Sequence, residues 1–427
     1  MKQATPSSKK TRITSPLIAV PAPSAAQSSI LERCEAYNHG RIPHLVQQKY
    51  KKMSENVFSF FRGTCHLFYE DWSLESTFKA PPVWICGDLH TENFGSYKGA
   101  NRLVYFDIND FDEAVLAPAS LEITRLVTSI FVAAEAYSLS QDDAHALAHI
   151  ILDSYAASLQ YGKAGAVERE SAHGIVANLL HAAQYRTRKE FLDERSDVKK
   201  RTRNINANEK RYFEIEQEQE NIIATHIEEF GKKNNMTDFF KVLDVKRRIA
   251  GTGSLGVERF AILVEGNGSP NKNYLLDFKE ALPSSLVMVK NQAVGLQPEW
   301  AHEAFRVVEL QHRMQFQTPA LLSALEMAGK TYILRELQPS QDKLDLAALK
   351  GKYKRFSTAL ATMGKLTAFA QLRSSGRQGS ATIDSLIEFA SQTAWQQDIV
   401  HYAASYSRQV HNDYTTFCQE HTKSLTA

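Results

Sequence analysis

The sequence predicts an α+β protein in which a small antiparallel sheet is set into a mostly helical chain. Three observations carry that reading. Over residues 121–137, Leu121, Ile123, Leu126, Val127, Ile130, Phe131 and Ala134 recur at helical spacing. Short β-branched or aromatic runs at 242–249, 257–264 and 274–279 are separated by the glycine-rich turns 251–256 and Gly266-Asn267-Gly268, the pattern of a strand meander. The last part, residues 350–420, returns to helix.

The remaining elements follow in order. Residues 1–29 are rich in Ser, Pro, Ala and Lys. Their apolar patch, residues 17–20, lies between Pro16 and Pro21 and makes a poor signal-peptide core, so we expect a disordered arm on a cytoplasmic protein. Composition becomes globular from Ile30. The aromatic cluster Val57-Phe58-Ser59-Phe60-Phe61-Arg62-Gly63 is expected to pack in a core. Residues 83–95 read as a short strand with a polar turn, and 102–108 as a second strand with an acidic turn. Ser140-Gln141-Asp142-Asp143 is a capping-box start before a helix over 146–161. The basic stretch 199–211, followed by the glutamate-rich 214–220, reads as an exposed connection and a boundary. A helix over 299–315 and a strand over 331–334 complete the set.

Composition excludes several classes. With 427 residues there is room for two or three domains. Basic and acidic side chains nearly cancel, to +2, so no global field argues for nucleic acid. Cys34, Cys65, Cys86 and Cys418 are scattered, which indicates neither a disulfide framework nor a zinc cage. The longest apolar stretch, around 126–134, falls far short of the roughly 18 residues of a membrane span.

Four segments carry candidate chemistry. In Gly87-Asp88-Leu89-His90-Thr91-Glu92-Asn93, Asp88 is placed to accept a hydroxyl proton, and Asn93 to turn back and hold a metal ion. Asp and Asn are also ordinary turn residues, so a capped turn is the plainer account of this segment alone. In Val104-Tyr105-Phe106-Asp107-Ile108-Asn109-Asp110-Phe111-Asp112-Glu113 a strand runs into four carboxylates and an amide. Carboxylates at that density repel one another unless a cation or water intervenes, and oxygen donors without Cys favour Mg²⁺ or Mn²⁺. The plainer alternative is a solvated acidic hairpin. Gly251-Thr252-Gly253-Ser254-Leu255-Gly256-Val257 is a GxGxxGxV run between strands, where glycines let backbone approach phosphates. In Tyr274-Leu275-Leu276-Asp277-Phe278-Lys279, alternation places Lys279 opposite Leu276 and Phe278, aimed into a cleft or, more plainly, solvated at a strand end.

Taken together these residues resemble the protein-kinase-like superfamily, especially its aminoglycoside and choline kinase branch. Gly87-Asp88-Leu89-His90 with Asn93 is similar to that branch's catalytic loop, and Asp110-Phe111-Asp112 to its metal-binding segment. The chain is more closely similar to an uncharacterised bacterial family of unknown function grouped with kinase-like folds. The resemblance implies a two-lobed fold binding ATP and Mg²⁺ or Mn²⁺. It implies Asp88 as catalytic residue, with Asn93 and either Asp107 or Asp110, the latter favoured, on the metal. Gly251, Thr252, Gly253, Ser254 and Gly256 would hold phosphates with Lys279, whose acid partner would be Glu303 or Glu309. Residues 332–337, including Glu336, would form the last small-lobe strand and the adenine-contacting hinge. The implied organisation is an arm at 1–29, a large-lobe segment at 30–237, a small nucleotide-binding lobe at 238–337 and a C-terminal helical part at 338–427. Two departures stand out. The catalytic loop precedes Lys279 by 191 positions, which requires a circular permutation, and Cys86 replaces the branch's first His.

Three functional readings follow. The first is phosphate transfer from ATP to a hydroxyl of an unidentified small molecule or protein. The second keeps the fold but transfers AMP, or is catalytically inactive and only senses nucleotide. The third is a non-enzymatic interaction protein using Lys199-Lys200-Arg201-Thr202-Arg203 on anionic partners, against which stands the plain reading of a solvated basic loop. No membrane and no specific nucleic-acid partner is expected.

Overall fold

Helix starts are set locally. Ser29 caps the first helix through a reciprocal capping box with Glu32, and Ser140 does the same with Asp143, so that helix begins at Gln141 rather than at residue 146. These come from a computed structural model that describes residues 28–73, 79–208, 211–289, 297–339 and 343–426. Residues 1–27 of the expected arm lie outside the described residues.

Four short helices open the described chain: α1 (Ile30–Asn38), α2 (Pro43–Met53), α3 (Val57–Gly63) and α4 (Cys65–Glu70). Four short strands follow: β1 (Pro82–Ile85), β2 (Phe94–Lys98), β3 (Val104–Ile108) and β4 (Val115–Pro118). They pair antiparallel as β1 with β4 and β2 with β3. Next come α5 (Ala119–Val132), α6 (Ala134–Tyr137), α7 (Gln141–Tyr161), α8 (Gly174–Tyr185) and α9 (Arg188–Asp193). The basic stretch then forms a hairpin, β5 (Ser196–Lys199) with β6 (Thr202–Ile205), turned by Lys200 and Arg201 at positive φ. Arg203 in it is fully buried against Asp193, so the stretch is not simply a solvated loop.

The second half supplies the main sheet. β7 (Tyr212–Phe213), α10 (Gln217–Lys233), β8 (Val242–Arg248), β9 (Arg259–Val264) and β10 (Tyr274–Glu280) are followed by α11 (Ser285–Val289) and α12 (Glu303–Met314). After β11 (Ser323–Met327) and β12 (Lys330–Glu336), the chain closes with α13 (Tyr353–Ser374), α14 (Ile383–Ser391) and α15 (Ala394–Thr426). The six-stranded sheet is antiparallel, in the order β11-β12-β10-β9-β8-β7. β11 was not anticipated. The pairing of Tyr212 with Arg248 carries the sheet unit back from residue 238 to 212. The protein is thus α+β, mostly helical with one six-stranded antiparallel sheet, and no described helix is long and apolar enough to cross a membrane.

Strand alternation decides what the sheet shows to each side. Leu276 and Phe278 on β10 join Phe260, Ile262, Tyr332 and Leu334 under Ile223 and Ile227 of α10. The neighbouring positions Leu275, Asp277 and Lys279 therefore face the other way. In the helical part α5 is buried along its whole length, and its ionisable members are spent on partners. Glu122 accepts from the Cys86 amide at 2.6 Å and from Gln371 at 2.9 Å. Helix α13 lies so close on α7 that a Cβ at Gly364 would run into the Ile151 carbonyl.

One buried carboxylate sets a pH dependence. Burial, with the Asp71 carboxylate nearby, pushes Asp413 on α15 up to about 6, against a hydrogen bond from Gln409 and the charge of Arg33. The folded state then binds this proton more tightly than the unfolded chain does, so stability is lost as pH rises from about 4 through 6. Asp413→Asn keeps the acceptor for Gln409 and removes the charge. Urea unfolding should show the variant more stable by about 1 kcal/mol at pH 7, after allowance for solvent screening, with the gap closing by about pH 4.

Candidate functional site

The strand β1 delivers the chain to a sharp turn. Gly87 sits at φ +90°, and a Cβ there would collide with the Glu113 backbone, so a side chain is excluded on both counts. Asp88 emerges from that turn. Asn93 folds back and donates to the Asp88 carbonyl, while the Asn93 carbonyl accepts from the Asn109 amide at 2.9 Å, which ties the turn to the acidic segment after β3. His90 caps the short turn through its Nδ1, which accepts from the Glu92 amide at 3.2 Å. Burial pushes its imidazole well down, with Arg62 and Arg125 acting in the same direction, so it is neutral.

Asp88 does not stand alone. Its Oδ1 accepts from Arg125 Nε at 2.8 Å and from Nη2 at 2.5 Å. Arg125 comes from α5, is fully buried, and stacks on Phe61 at 4.2 Å and Phe68 at 5.1 Å. Burial works against its charge, but Asp88 outweighs that and keeps the guanidinium protonated. Cys86, just before the turn, is a buried thiol pushed well up by burial and by Glu122, which makes it unreactive.

The glycine-rich loop, residues 251–256, connects β8 to β9 and takes positive φ at Gly251 and Gly256. Groups from the first helices hold it. Arg41 Nη1 donates to the Gly253 carbonyl at 2.8 Å and the Leu255 carbonyl at 3.3 Å, and the Ile42 amide donates to the Gly256 carbonyl at 2.9 Å. Lys49 of α2, fully buried, reaches the Gly253 carbonyl at 3.3 Å and Asn38 at 2.9 Å. The loop tip stands against the Asp88 turn: a Cβ on Gly253 would sit 3.9 Å from Asp88 Oδ2 and 3.3 Å from the Arg62 carbonyl.

Lys279 completes the arrangement. Its ammonium donates to Ser254 Oγ at 2.7 Å and contacts the Asp112 carboxylate directly. Burial lowers it to about 8, opposed by Asp110 and aided by Arg335 and Arg41, and the Asp112 contact favours its charged form. Neither glutamate proposed as its partner is engaged with it. Glu303 pairs with Arg306 at 2.6 Å and Glu309 with Arg313 at 2.9 Å, both on α12. Asp277, two positions before Lys279 and on the same face, takes Arg259 at 2.5 Å, Arg248 at 2.8 Å and Arg335 at 3.6 Å. It is held far below the usual carboxylate range; burial works against its charge, and the arginines, Arg259 first, overcome that.

Of the residues singled out from the sequence, Asp88, Asn93, Asp110, Gly251, Thr252, Gly253, Ser254, Gly256 and Lys279 line one cavity of about 370 Å³. Four others, Asp107, Glu303, Glu309 and Glu336, do not. Asp107 points from β3 into the core, 1% exposed, where its Oδ2 accepts from Arg373 and from the Phe316 amide, both at 3.1 Å, and it does not line the cavity that Asp110 lines. Glu309 is consumed by Arg313. Glu336 is held by Arg102 at 2.6 Å and Arg188 at 2.9 Å and lines a separate, smaller cavity. Sequence reasoning missed Arg41, Lys49 and Arg125 and the pairing role of Asp112.

Among the described residues, no group of three His, Cys, Asp or Glu could hold a metal ion. Asp110 and the Asn93 amide oxygen, both on the cavity wall, offer instead the sparse donor set of a Mg²⁺ that keeps waters and takes its other ligands from a phosphate. The donors fit that ion and not zinc.

A family model described as an uncharacterized protein conserved in bacteria (DUF2252) matches residues 41–420, and the chain belongs to that family. No curated protein and no solved structure matches it.

Removing one partner of a buried ion pair leaves the other without compensation. Arg125→Met should lower the unfolding free energy by about 3 kcal/mol, read by urea denaturation at pH 7. A loss below about 1 kcal/mol would mean that Asp88 finds its counter-charge in solvent.

Proposed function

For this DUF2252 member we propose an ATP- and Mg²⁺-dependent phosphotransferase of the protein-kinase-like kind, with its two lobes in circularly permuted order. One observation carries the reading. Loop backbone, the Lys279 ammonium, Asp88, Asn93 and Asp110 share a single cavity although they come from segments up to 191 positions apart. That combination suits a triphosphate better than a neutral ligand, since a cation, glycine backbone and oxygen donors line the same cavity.

In this reading the amides and small residues of the loop cradle the phosphates, and Lys279 neutralises them once Asp112 gives way. Asp110 and Asn93 hold the metal ion, which when bound offsets charge on the phosphates. Asp88 orients the acceptor hydroxyl and takes its proton through Oδ2, since Oδ1 is occupied by Arg125. Arg125 fixes the carboxylate in one rotamer. The work of such a site is positioning and electrostatic compensation.

AMP transfer is the second reading, favoured by Cys86 at the position of the branch's histidine. The label decides between them. Purified protein is incubated with Mg²⁺ and ATP carrying ³²P at the γ or the α position, together with a bacterial metabolite and protein extract. Label is expected to move from the γ position only, and movement from the α position would replace phosphate transfer by AMP transfer. Binding of Mg²⁺-ATP with no label movement at all would leave a nucleotide sensor.

Two substitutions separate the roles. Asp88→Asn should cut transfer by about 10²-fold or more while Mg²⁺-ATP binding, read by calorimetry, changes little. Asp110→Asn should remove most of the Mg²⁺-dependent part of the affinity while binding of metal-free ATP persists.

A further inference from the structure

A second cavity, of about 490 Å³, meets the first at Gly251. It opens between α2, the end of β8 and the connection after β12, where the resemblance would put a nucleotide base. Its walls do not suit a flat neutral ring. Lys51, Lys52, Arg195, Arg211 and Arg248 line it, and among the described residues Glu55 is the one acid that does. Among the described residues none of Lys51, Lys52 and Arg211 has an ion-pair partner. Arg248 shares the buried Asp277, which does not itself line the cavity, with Arg259 and Arg335, so three guanidiniums divide one carboxylate. Burial and Arg62 lower Lys52, and burial with Arg259 lowers Arg248 to about 10.

Lys52 and Arg248 are less exposed than Lys51 and Arg211, so an anion entering the cavity would relieve their repulsion most, while the exposed pair adds donors. A carboxylate brings one negative charge, whereas a phosphate monoester brings close to two on one centre with three acceptor oxygens, which match guanidinium and ammonium donors together. Tyr212, Ile249 and Leu337 add apolar wall, and the volume falls in the range of small-molecule sites.

We propose that this second cavity binds a phosphorylated small molecule, its phosphate held by Lys51, Lys52, Arg211 and Arg248 and its organic part against Tyr212, Ile249 and Leu337. The inference does not rest on the phosphotransferase reading, since its ligand groups are distinct from those around Asp88 and Lys279. A ligand there touches Gly251, the first glycine of the loop.

Inorganic pyrophosphate is the probe, titrated by calorimetry in the presence of EDTA. Lys279→Ala silences the anion contact in the first cavity. The Lys279→Ala protein should still bind pyrophosphate, and adding Lys51→Glu with Arg211→Glu should weaken that binding tenfold or more. Both charge-reversed residues are exposed, so the melting temperature should hold; Lys52→Met, expected to weaken binding at least threefold, is the independent variant. The double reversal alone should leave Mg²⁺-ATP affinity within twofold. A smaller loss than tenfold in the double reversal, equal or tighter binding of citrate, or displacement of pyrophosphate by adenosine would each overturn the proposal, the last by making the cavity a base pocket. Failure of the phosphotransferase reading would show in the ATP titration and leave the pyrophosphate result readable.

Discussion

The Gly253 carbonyl is the joint on which the site depends. It lies at the tip of a loop between two strands of the sheet, yet its donors, Arg41 and Lys49, come from the opening helices. Burial pushes the Lys49 ammonium well below its ordinary value, more than the carboxylates around it can offset. Its hydrogen bonds to the Gly253 carbonyl and to Asn38 give this buried group polar partners in place of water. The loop is thereby pinned in a dry setting, where an unmade hydrogen bond would be expensive. From that pin follow the approach of Gly253 to Asp88 and of Ser254 to Lys279. A loop free to move would hold neither.

Charge balance is the second constraint. Around the first cavity the strongly held charges are matched pairwise: Asp88 with Arg125, Lys279 with Asp112, and Arg62 with Glu92 at 2.5 Å. An anion alone can reach Lys279 only by displacing Asp112, which would set a second negative charge free beside Asp110. An anion arriving with a divalent cation relieves that repulsion. Under the proposed function a metal–phosphate pair would therefore enter more easily than either ion separately. The second cavity differs in kind, because its positive charges outnumber the carboxylates within reach.

What could be read from the sequence was what local geometry dictates. The turn at Gly87, the return of Asn93, the glycine loop between strands and the face of Lys279 all depend on residues within a few positions of one another. The misreadings needed distant partners. Asp107 reads as a metal-ligand alternative because nothing nearby in the sequence reveals Arg373, 266 positions on, which pairs with it in the core. The short strand β7 had too few residues to announce itself, so the sheet was started too late. Two misses had visible signals. Glu303 and Glu309 stand three and four positions before Arg306 and Arg313, spacings at which a helix pairs them with each other. Arg125 sits alone in an apolar helical run, and a lone arginine there has to find a buried acid.

The order of the pieces matters less than it first suggests. Asp88 and Gly253 are 165 positions apart, but closure entropy rises only with the logarithm of loop length. Bringing them together across that span rather than across some 20 residues adds about 2 kcal/mol by this scaling. Burying a single Phe or Leu side chain contributes about as much. The segment between them spends its length on α5, α7 and the sheet-covering α10, whose cores are buried in their own right, so the two ends meet as edges of folded units rather than as ends of a free chain. A site assembled this way is tolerant of the sequence order in which its walls occur. It is intolerant of losing the contacts at the seam, and Arg41, Lys49 and Arg125 lie on that seam.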